Sequence, residues 1–118
     1  MPTVFVLDQI QLHAGKLDAF REALDSRYLP AASSRGLQLV DAWLSPPLEL
    51  HDAGNEIVLL WSLPDVAGFW EMRRLQGEDS ETERWWRDVS PWIASRSRRF
   101  MTREPIGPRR AEAEEDGA

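Results

Sequence analysis

Apolar and polar positions alternate in the first segment of the chain, 4–12, which reads VFVLDQIQL and is rich in β-branched and aromatic residues. This pattern is typical of a strand with one buried face. The segment 56–61, EIVLLW, is almost continuously apolar, which is typical of a central strand covered on both sides. Two further strands are predicted over 37–44 and 98–103. Two prolines follow closely after residue 44 and indicate that this strand lies at an edge or ends there.

Helical spacing fills the intervals between these strands. In 16–33 one apolar stripe recurs every three or four residues: Leu17, Phe20, Leu24 and Tyr28. Pro30 falls near the end of this helix and predicts an irregular last turn. A second helix is predicted over 64–76, after a serine cap and a proline in the first turn. A third begins near Ser80 and kinks or ends near Pro91.

The resulting order, β-α-β-β-α-(α)-β, predicts a ferredoxin-like βαββαβ fold of the α+β class. Its four-stranded antiparallel sheet carries both main helices on one face. The other face, predicted to carry Phe5, Leu7 and Leu59 or their neighbours, has no helix to cover it. Because an apolar sheet face of this size does not stay in water, a second copy of the chain is the simplest cover. A homodimer through the sheet faces is therefore expected.

Composition narrows the class of protein. The length of 118 residues fits one domain, predicted over 1–104, followed by a disordered acidic tail over 105–118. The chain has no cysteine, which excludes disulfides, thiolate zinc sites and cysteine nucleophiles and fits a reducing, cytoplasmic location. The net charge of −6 disfavours nucleic acid as a partner. No apolar run is long enough for a membrane span. With two histidines and no phosphate-loop or dinucleotide motif, neither a metal nor an organic cofactor is predicted.

Three segments resemble NIPSNAP-like proteins. The segment 12–20, LHAGKLDAF, resembles their strand–PGK–helix opening, with Ala14 in place of the usual proline. The segments 36–43, GLQLVDAW, and 55–61, NEIVLLW, resemble two of their strands. The resemblance covers about residues 3–103 and implies membership of the dimeric α+β barrel superfamily, in which two sheets close face to face.

This resemblance implies a range of functions without choosing one. The superfamily includes cofactor-free polyketide cyclases, quinone-forming monooxygenases, haem-degrading enzymes and muconolactone isomerase-like enzymes, with sites between the helices and the sheet. The NIPSNAP branch has no agreed catalytic motif, so the resemblance assigns no catalytic residue. Haem degradation is disfavoured, because no histidine lies on a predicted helix as an axial ligand.

Three polar residues are candidates for acid/base chemistry. Asp8 shares strand parity with an aliphatic face directed at the helices, where burial favours a general acid or base. The alternatives are an ion pair with an arginine such as Arg73 or Arg99, or a place near the rim. Asp41 shares parity with Leu37, Leu39 and Trp43 and would add a second carboxylate, unless its strand is an edge where it is solvated. His51 is a candidate proton shuttle, although its surroundings also read as a polar turn.

Six tryptophans are more than so small a core buries in full, so some are expected to line a pocket or an interface. The predicted substrate-binding residues are aromatic side chains on helix faces and strand ends, with one arginine a turn away: Tyr28, Trp43, Trp61, Phe69, Trp70, Arg73 and Trp85. The alternative is that the aromatic residues form the core and that Arg73 is exposed.

These residues support three hypotheses of function. The first is an enzyme without metal or organic cofactor, an isomerase, cyclase or lyase that acts on an apolar polycyclic, polyketide-like or steroid-like substrate, with Asp8 as acid/base. The second is a ligand-binding or scaffold dimer with the same pocket and no turnover. The third is a cofactor-free monooxygenase, whose substrate itself reduces oxygen.

Overall fold

A computed structural model describes residues 3–78 and 80–107. Its four strands form one antiparallel sheet in the order β2-β3-β1-β4: β1 (Val4–Leu12), β2 (Gln38–Ser45), β3 (Glu56–Leu63) and β4 (Ile93–Thr102). The two strands with the strongest apolar patterns, β1 and β3, are central. The predicted ferredoxin-like α+β fold is confirmed, and so is the edge position of the strand before the two prolines.

The helices connect the strands. The first helical region consists of α1 (Leu17–Ala23), a π-helical turn (Leu24–Tyr28) and α2 (Leu29–Ser34). The amide of Leu29 donates to the carbonyl of Leu24, and this wide turn immediately precedes Pro30, which has no N–H of its own to donate. The second region consists of α3 (Val66–Glu78) and α4 (Ser80–Val89), followed by a 3₁₀ turn (Ser90–Trp92). The predicted irregularities at Pro30 and Pro91 are thus local changes of helical geometry.

Alternate side chains of the central strands point to opposite faces of the sheet. On β1 and β3 every second residue is buried, and the residues between them are half-buried. The core lies on the helix side, where strand residues such as Val6 and Trp61 pack with Phe20, Tyr28 and Trp85 of the helices. We call this side the helix face.

The opposite side, which we call the open face, carries apolar residues without a helix over them. Residues opposite each other in antiparallel strands share a face, so the pairing places these on it: Phe5, Leu7, Trp43, Val58 and Leu60. The assignment of Leu59 to this face was wrong, because Leu59 pairs with Asp8 and is buried on the helix face. The prediction of an uncovered apolar face is confirmed for the single chain.

Strand β4 begins at Ile93, five residues earlier than predicted, and pairs with β1 along nearly its whole length. Its first half contains serine and arginine, which give little strand signal on their own. The predicted tail over 105–118 lies largely outside the described residues. Within the described residues no helix is long and apolar enough to cross a membrane.

Candidate functional site

A cleft of about 710 Å³ opens on the helix face between α3, α4 and the edge strand β4. Its lining comes from all three elements: Arg73, Thr82, Glu83, Trp86, Arg87, Arg96, Arg98 and Phe100. The cleft exists because the helices do not cover β4 as they cover β1. Phe100 and Arg96 are exposed, whereas their partners across the strands, Val6 and Ile10, are fully buried.

The buried end of the cleft is organised by one ion pair. Asp8, only 2% exposed, faces Arg98 across the β1–β4 ladder. Arg98 Nε donates to Asp8 Oδ1 at 2.6 Å and Arg98 Nη2 donates to Oδ2 at 2.8 Å. Trp61 Nε1 donates to the same Oδ2 at 2.9 Å. The carboxylate thus accepts three hydrogen bonds, which fix its orientation and offset the cost of burying its charge.

Tyr28 extends this ion pair into the helical layer. Its hydroxyl accepts hydrogen bonds from Arg98 Nη2 at 2.9 Å and from Arg35 Nη2 at 3.1 Å. Arg35 is itself buried and also donates to Thr82 Oγ1 on α4. The network therefore links β1 and β4 to both helical regions and holds one wall of the cleft in a fixed geometry.

The two arginines of β4 that line the cleft differ in electrostatic environment. Burial lowers the pKa of Arg98, but hydrogen bonding to Asp8 and the nearby charges outweigh it, so its pKa is raised. The pKa of Arg96 is lowered, first by burial and then by the positive charge of Arg98. Arg96 stacks on the indole of Trp86, with its guanidinium carbon 3.8 Å from the ring centroid.

Among the described residues, the lining contains four arginines and one carboxylate, that of Glu83. Asp8 neutralises Arg98 and Glu83 balances one of the other three arginines, which leaves a surplus of two positive charges. The predicted pocket was an apolar enclosure with one arginine, and the observed cleft is strongly cationic with two aromatic walls. In the part of the chain that the structure describes, no group of three or more His, Cys, Asp or Glu side chains can hold a metal ion.

Of the three candidate acid/base residues, only Asp8 lies beside the cleft. Its predicted place on the helix face is confirmed, and its ion-pair partner is Arg98, not Arg73 or Arg99. Asp41 lies on the open face, because the β2–β3 register shifts between Leu39 and Asp41. A bulge of this kind reverses the faces of all later residues, so Asp41 keeps its parity with Trp43 but not with Leu39. Strand β2 is an edge and Asp41 is exposed, which is the solvated alternative that the sequence left open.

His51 lies exposed in the loop between β2 and β3 and does not line the cleft. The end of this loop is held against the end of β1, where the amide of Leu12 donates to the carbonyl of Asn55 at 2.9 Å. Gly54 passes so close that a Cβ there would lie 1.7 Å from the carbonyl oxygen of Leu12. Asp8 lies four residues before Leu12, roughly 13 Å along the strand. The loop therefore packs against the end of the sheet and not against the cleft.

The residues predicted to bind substrate occupy four different environments. Tyr28, Trp61 and Trp85 are fully buried core residues, with Tyr28 and Trp85 in ring contact at 4.5 Å. Trp43 is exposed on the open face. Trp70 is exposed on α3. Only two of the seven, Arg73 and Phe69, lie at an opening on the helix face.

Arg73 lines the cleft and its side chain is exposed, as the alternative interpretation of the sequence had it. Phe69 lines a smaller, apolar hollow of about 230 Å³ at the other end of β4. Phe100 borders both openings and packs edge-on against Phe69 at 4.9 Å. The sequence interpretation therefore identified two residues at openings on the helix face, while three of the other five fill the core and two are exposed elsewhere.

The lining residues that the sequence interpretation missed follow the two-residue repeat of a strand on β4 and the helical repeat on α4. Arg96, Arg98 and Phe100 alternate along β4, which becomes visible only when the strand is extended back to Ile93. Trp86 follows the buried Trp85 on α4, and a step of one residue turns a helix by about 100° toward its flank. The half-buried Trp86 was thus detectable as the neighbour of a core tryptophan.

Solved structures share this fold, although no family model and no curated protein matches the sequence. A NIPSNAP family protein of unknown function from Agrobacterium tumefaciens has a TM-score of 0.70 at 17% identity, covering 91% of this chain and 93% of its own. A putative antibiotic biosynthesis monooxygenase from Nitrosomonas europaea has a TM-score of 0.59 at 15% identity, covering 88% and 99%. A dimeric ferredoxin-like protein from an uncultured marine organism has a TM-score of 0.57 at 10% identity, covering 92% and 94%. The chain therefore has the ferredoxin-like α+β fold that these NIPSNAP-family and dimeric ferredoxin-like proteins share, as the motifs in its sequence predict.

Proposed function

We propose that the chain forms a homodimer that binds a small molecule in the cleft between α3, α4 and β4, one site per chain. The observation that carries the proposal is a cleft of about 710 Å³ that combines aromatic walls with charged groups at its floor and rim. Small-molecule sites in proteins combine these features in the same way. The absence of cysteine from the sequence supports a cytoplasmic setting.

Binding without turnover fits the geometry of Asp8 better than acid/base catalysis does. A general base must have an acceptor site that the substrate's proton can reach. Asp8 is 2% exposed, and three of the about four hydrogen bonds that a carboxylate can accept are already made with Arg98 and Trp61. This carboxylate is suited to hold Arg98 in place at the floor of the cleft. Neither His51 nor Asp41 lies there to take over the proton.

The open face supports the dimer. Within the described residues no helix covers the half-buried side chains of Phe5, Leu7, Val58 and Leu60, and Trp43 beside them is 47% exposed. The guanidinium of Arg103 lies over the Phe5 ring at 5.0 Å and shields part of it. One fold neighbour is itself named a dimeric ferredoxin-like protein. Because the cleft lies on the helix face, closure of the two open faces on each other leaves each cleft accessible.

Native mass spectrometry of the full chain tests the binding function directly. We expect the protein purified without denaturation, or after incubation with a panel of aromatic small molecules, to carry a ligand mass. Trp86→Leu should lose that mass because it removes one wall of the cleft. Trp70→Leu, an exposed tryptophan on the same helical layer, should keep it. Equal ligand retention by both variants, or no retained ligand in the wild type, would contradict the proposal.

A cofactor-free monooxygenase is the second candidate, because one of the fold neighbours is named a putative antibiotic biosynthesis monooxygenase. Such chemistry needs a bound substrate that itself reduces oxygen, and the aromatic walls of the cleft suit a phenolic or hydroquinone ring. Oxygen uptake in an electrode cell with a panel of hydroquinones separates this candidate from simple binding. Uptake that Trp86→Leu abolishes and Trp70→Leu preserves would replace the binding proposal with the enzymatic one.

A further inference from the structure

We infer that the ligand of the cleft is an aromatic molecule with an anionic oxygen group, a carboxylate or a phosphate, held by Arg96 with Arg73 and Arg87. This inference rests on the proposed binding function and deepens it by naming the ligand's chemical class. It departs from the apolar ligand that the sequence suggested. Three independent features of the cleft carry it: its charge, the geometry of Arg96 and the position of its aromatic walls.

The sign of the charge in the cleft is opposite to that of the whole protein. The chain carries a net charge of −6, yet among the described residues the cleft lining has four arginines against the single carboxylate of Glu83. The ion pair with Asp8 neutralises only one of these arginines, Arg98. Like charges gathered in a partly enclosed site repel one another and raise the local concentration of counter-ions. An anionic ligand supplies the missing negative charge.

Arg96 has the geometry of a ligand-binding arginine. Its guanidinium carbon lies 3.8 Å from the centre of the Trp86 ring, a cation–π contact that restricts the side chain. A guanidinium held in this way is ordered before the ligand arrives, and its fork of donors matches two oxygens of a carboxylate or phosphate. Partial loss of solvent around the guanidinium, and then the charge of Arg98, lower the pKa of Arg96. An anion bound to Arg96 would offset the repulsion from Arg98.

Aromatic surface lies next to these cations. Trp86 is half-buried beneath Arg96, and Phe100 of β4 remains 39% exposed at the same cleft. Phe100 is supported from behind by an edge-on contact with Phe69 at 4.9 Å. Phe100 and Trp86 therefore offer apolar surface to a flat ring in the same cleft as the arginines. Arg73 on α3 and Arg87 on α4 reach the same volume from the opposite wall.

The test compares probes that differ only in charge, with the full-length protein and isothermal titration calorimetry. The anionic probes are 1-naphthoate and 1-naphthyl phosphate, and the neutral probe is 1-naphthamide. We expect at least one anion to bind about tenfold or more tightly than the amide, since a charge-assisted hydrogen bond is stronger than a neutral one. Arg96→Gln should weaken binding of the preferred anion about tenfold and so erase its preference over the amide. The relative affinity of the two anions identifies the headgroup.

Arg21→Gln is the matched control, because it removes the same charge from an exposed arginine on α1 that pairs with Glu49. It should leave all three affinities unchanged. Equal binding of the amide and both anions, or a preference that survives Arg96→Gln, overturns the anionic ligand class while the binding function stands. If no probe binds and the purified protein carries no ligand, the proposed function itself fails.

Discussion

Asp8 and Arg98 stand opposite each other on neighbouring strands and are joined by two hydrogen bonds, of 2.6 Å and 2.8 Å, on the buried side of the sheet. The Asp8 side chain is 2% exposed and that of Arg98 is 15% exposed. In such surroundings each charge is stabilised mainly by the other, because neither is well solvated by water. The pair lies between the core and the cleft, so the change in the free energy of unfolding when either residue is mutated is informative about both.

Asp8→Asn should destabilise the protein by about 3 kcal/mol, because it leaves the positive charge of Arg98 buried without its carboxylate. Asp41→Asn provides the matched control. That carboxylate is exposed on the open face, and its removal should change stability by less than about 0.5 kcal/mol. Urea unfolding at one fixed protein concentration measures both free energies. Similar small effects for the two variants would show that the ion pair contributes little to stability.

The pair should also show strong coupling in a double-mutant cycle. Asp8→Leu and Arg98→Met each leave one buried charge without its partner, whereas the double variant removes both charges. We expect the double variant to be more stable than the sum of the single effects by about 2 kcal/mol. The same urea assay gives all four free energies. Additive effects would mean that the two charges are independently solvated.

Leu7→Lys should break the homodimer, because Leu7 lies half-buried in the middle of the open face and a charge there cannot be covered by another sheet. Sedimentation equilibrium should give twice the chain mass of 13.5 kDa for the wild type and the chain mass for the variant. Trp70→Lys, at an exposed tryptophan on α3, should remain dimeric. A wild-type chain that sediments as a monomer contradicts the proposed dimer.

Glu81 should contribute stability that disappears in acid. Its pKa lies below the ordinary 4.5, because Arg27 and then Arg84 donate hydrogen bonds to its carboxylate, each at 3.1 Å. A carboxyl whose pKa is lowered on folding stabilises the protein above its unfolded pKa, and this contribution is lost as the pH falls through the folded pKa. Glu81→Gln should therefore destabilise the protein at pH 7 and converge with the wild type in acid.

Urea unfolding over a series of pH values measures this difference. Glu104→Gln is the control, since the side chain of Glu104 makes no ion pair within the described residues, and it should track the wild type at every pH. A deficit of Glu81→Gln that is the same at pH 7 and below pH 4 would mean that the glutamate acts through packing and not through its charge.

The periodicity of the chain was sufficient for the element order and for the face on which Asp8 lies. Alternation along β1 predicts that Asp8 points to the same side as Val6 and Ile10, and the structure confirms it. Strand parity is a local property that does not depend on which strand lies next to β1. For the same reason the helical stripe through Phe20 and Tyr28 was predictable.

Contacts between strands were beyond this local reasoning. The partner of Asp8 is Arg98, 90 residues away, and only the register of β1 against β4 selects it over Arg99. The face of Asp41 depends on a bulge between Leu39 and Asp41, which the pattern of apolar and polar residues in β2 does not predict. One extra residue reverses a face, so the parity argument fails at that point.

The sequence by itself determined the ferredoxin-like order of strands and helices and the uncovered apolar side of the sheet, because both follow from repeats of two and 3.6 residues. Tertiary structure decided where the cleft lies and what it can bind. Three of the six predicted aromatic residues fill the core, while Trp86 and Arg96 meet at the uncovered edge of the sheet. Their meeting depends on how far the helices extend over β4, which is a property of packing and not of any single segment.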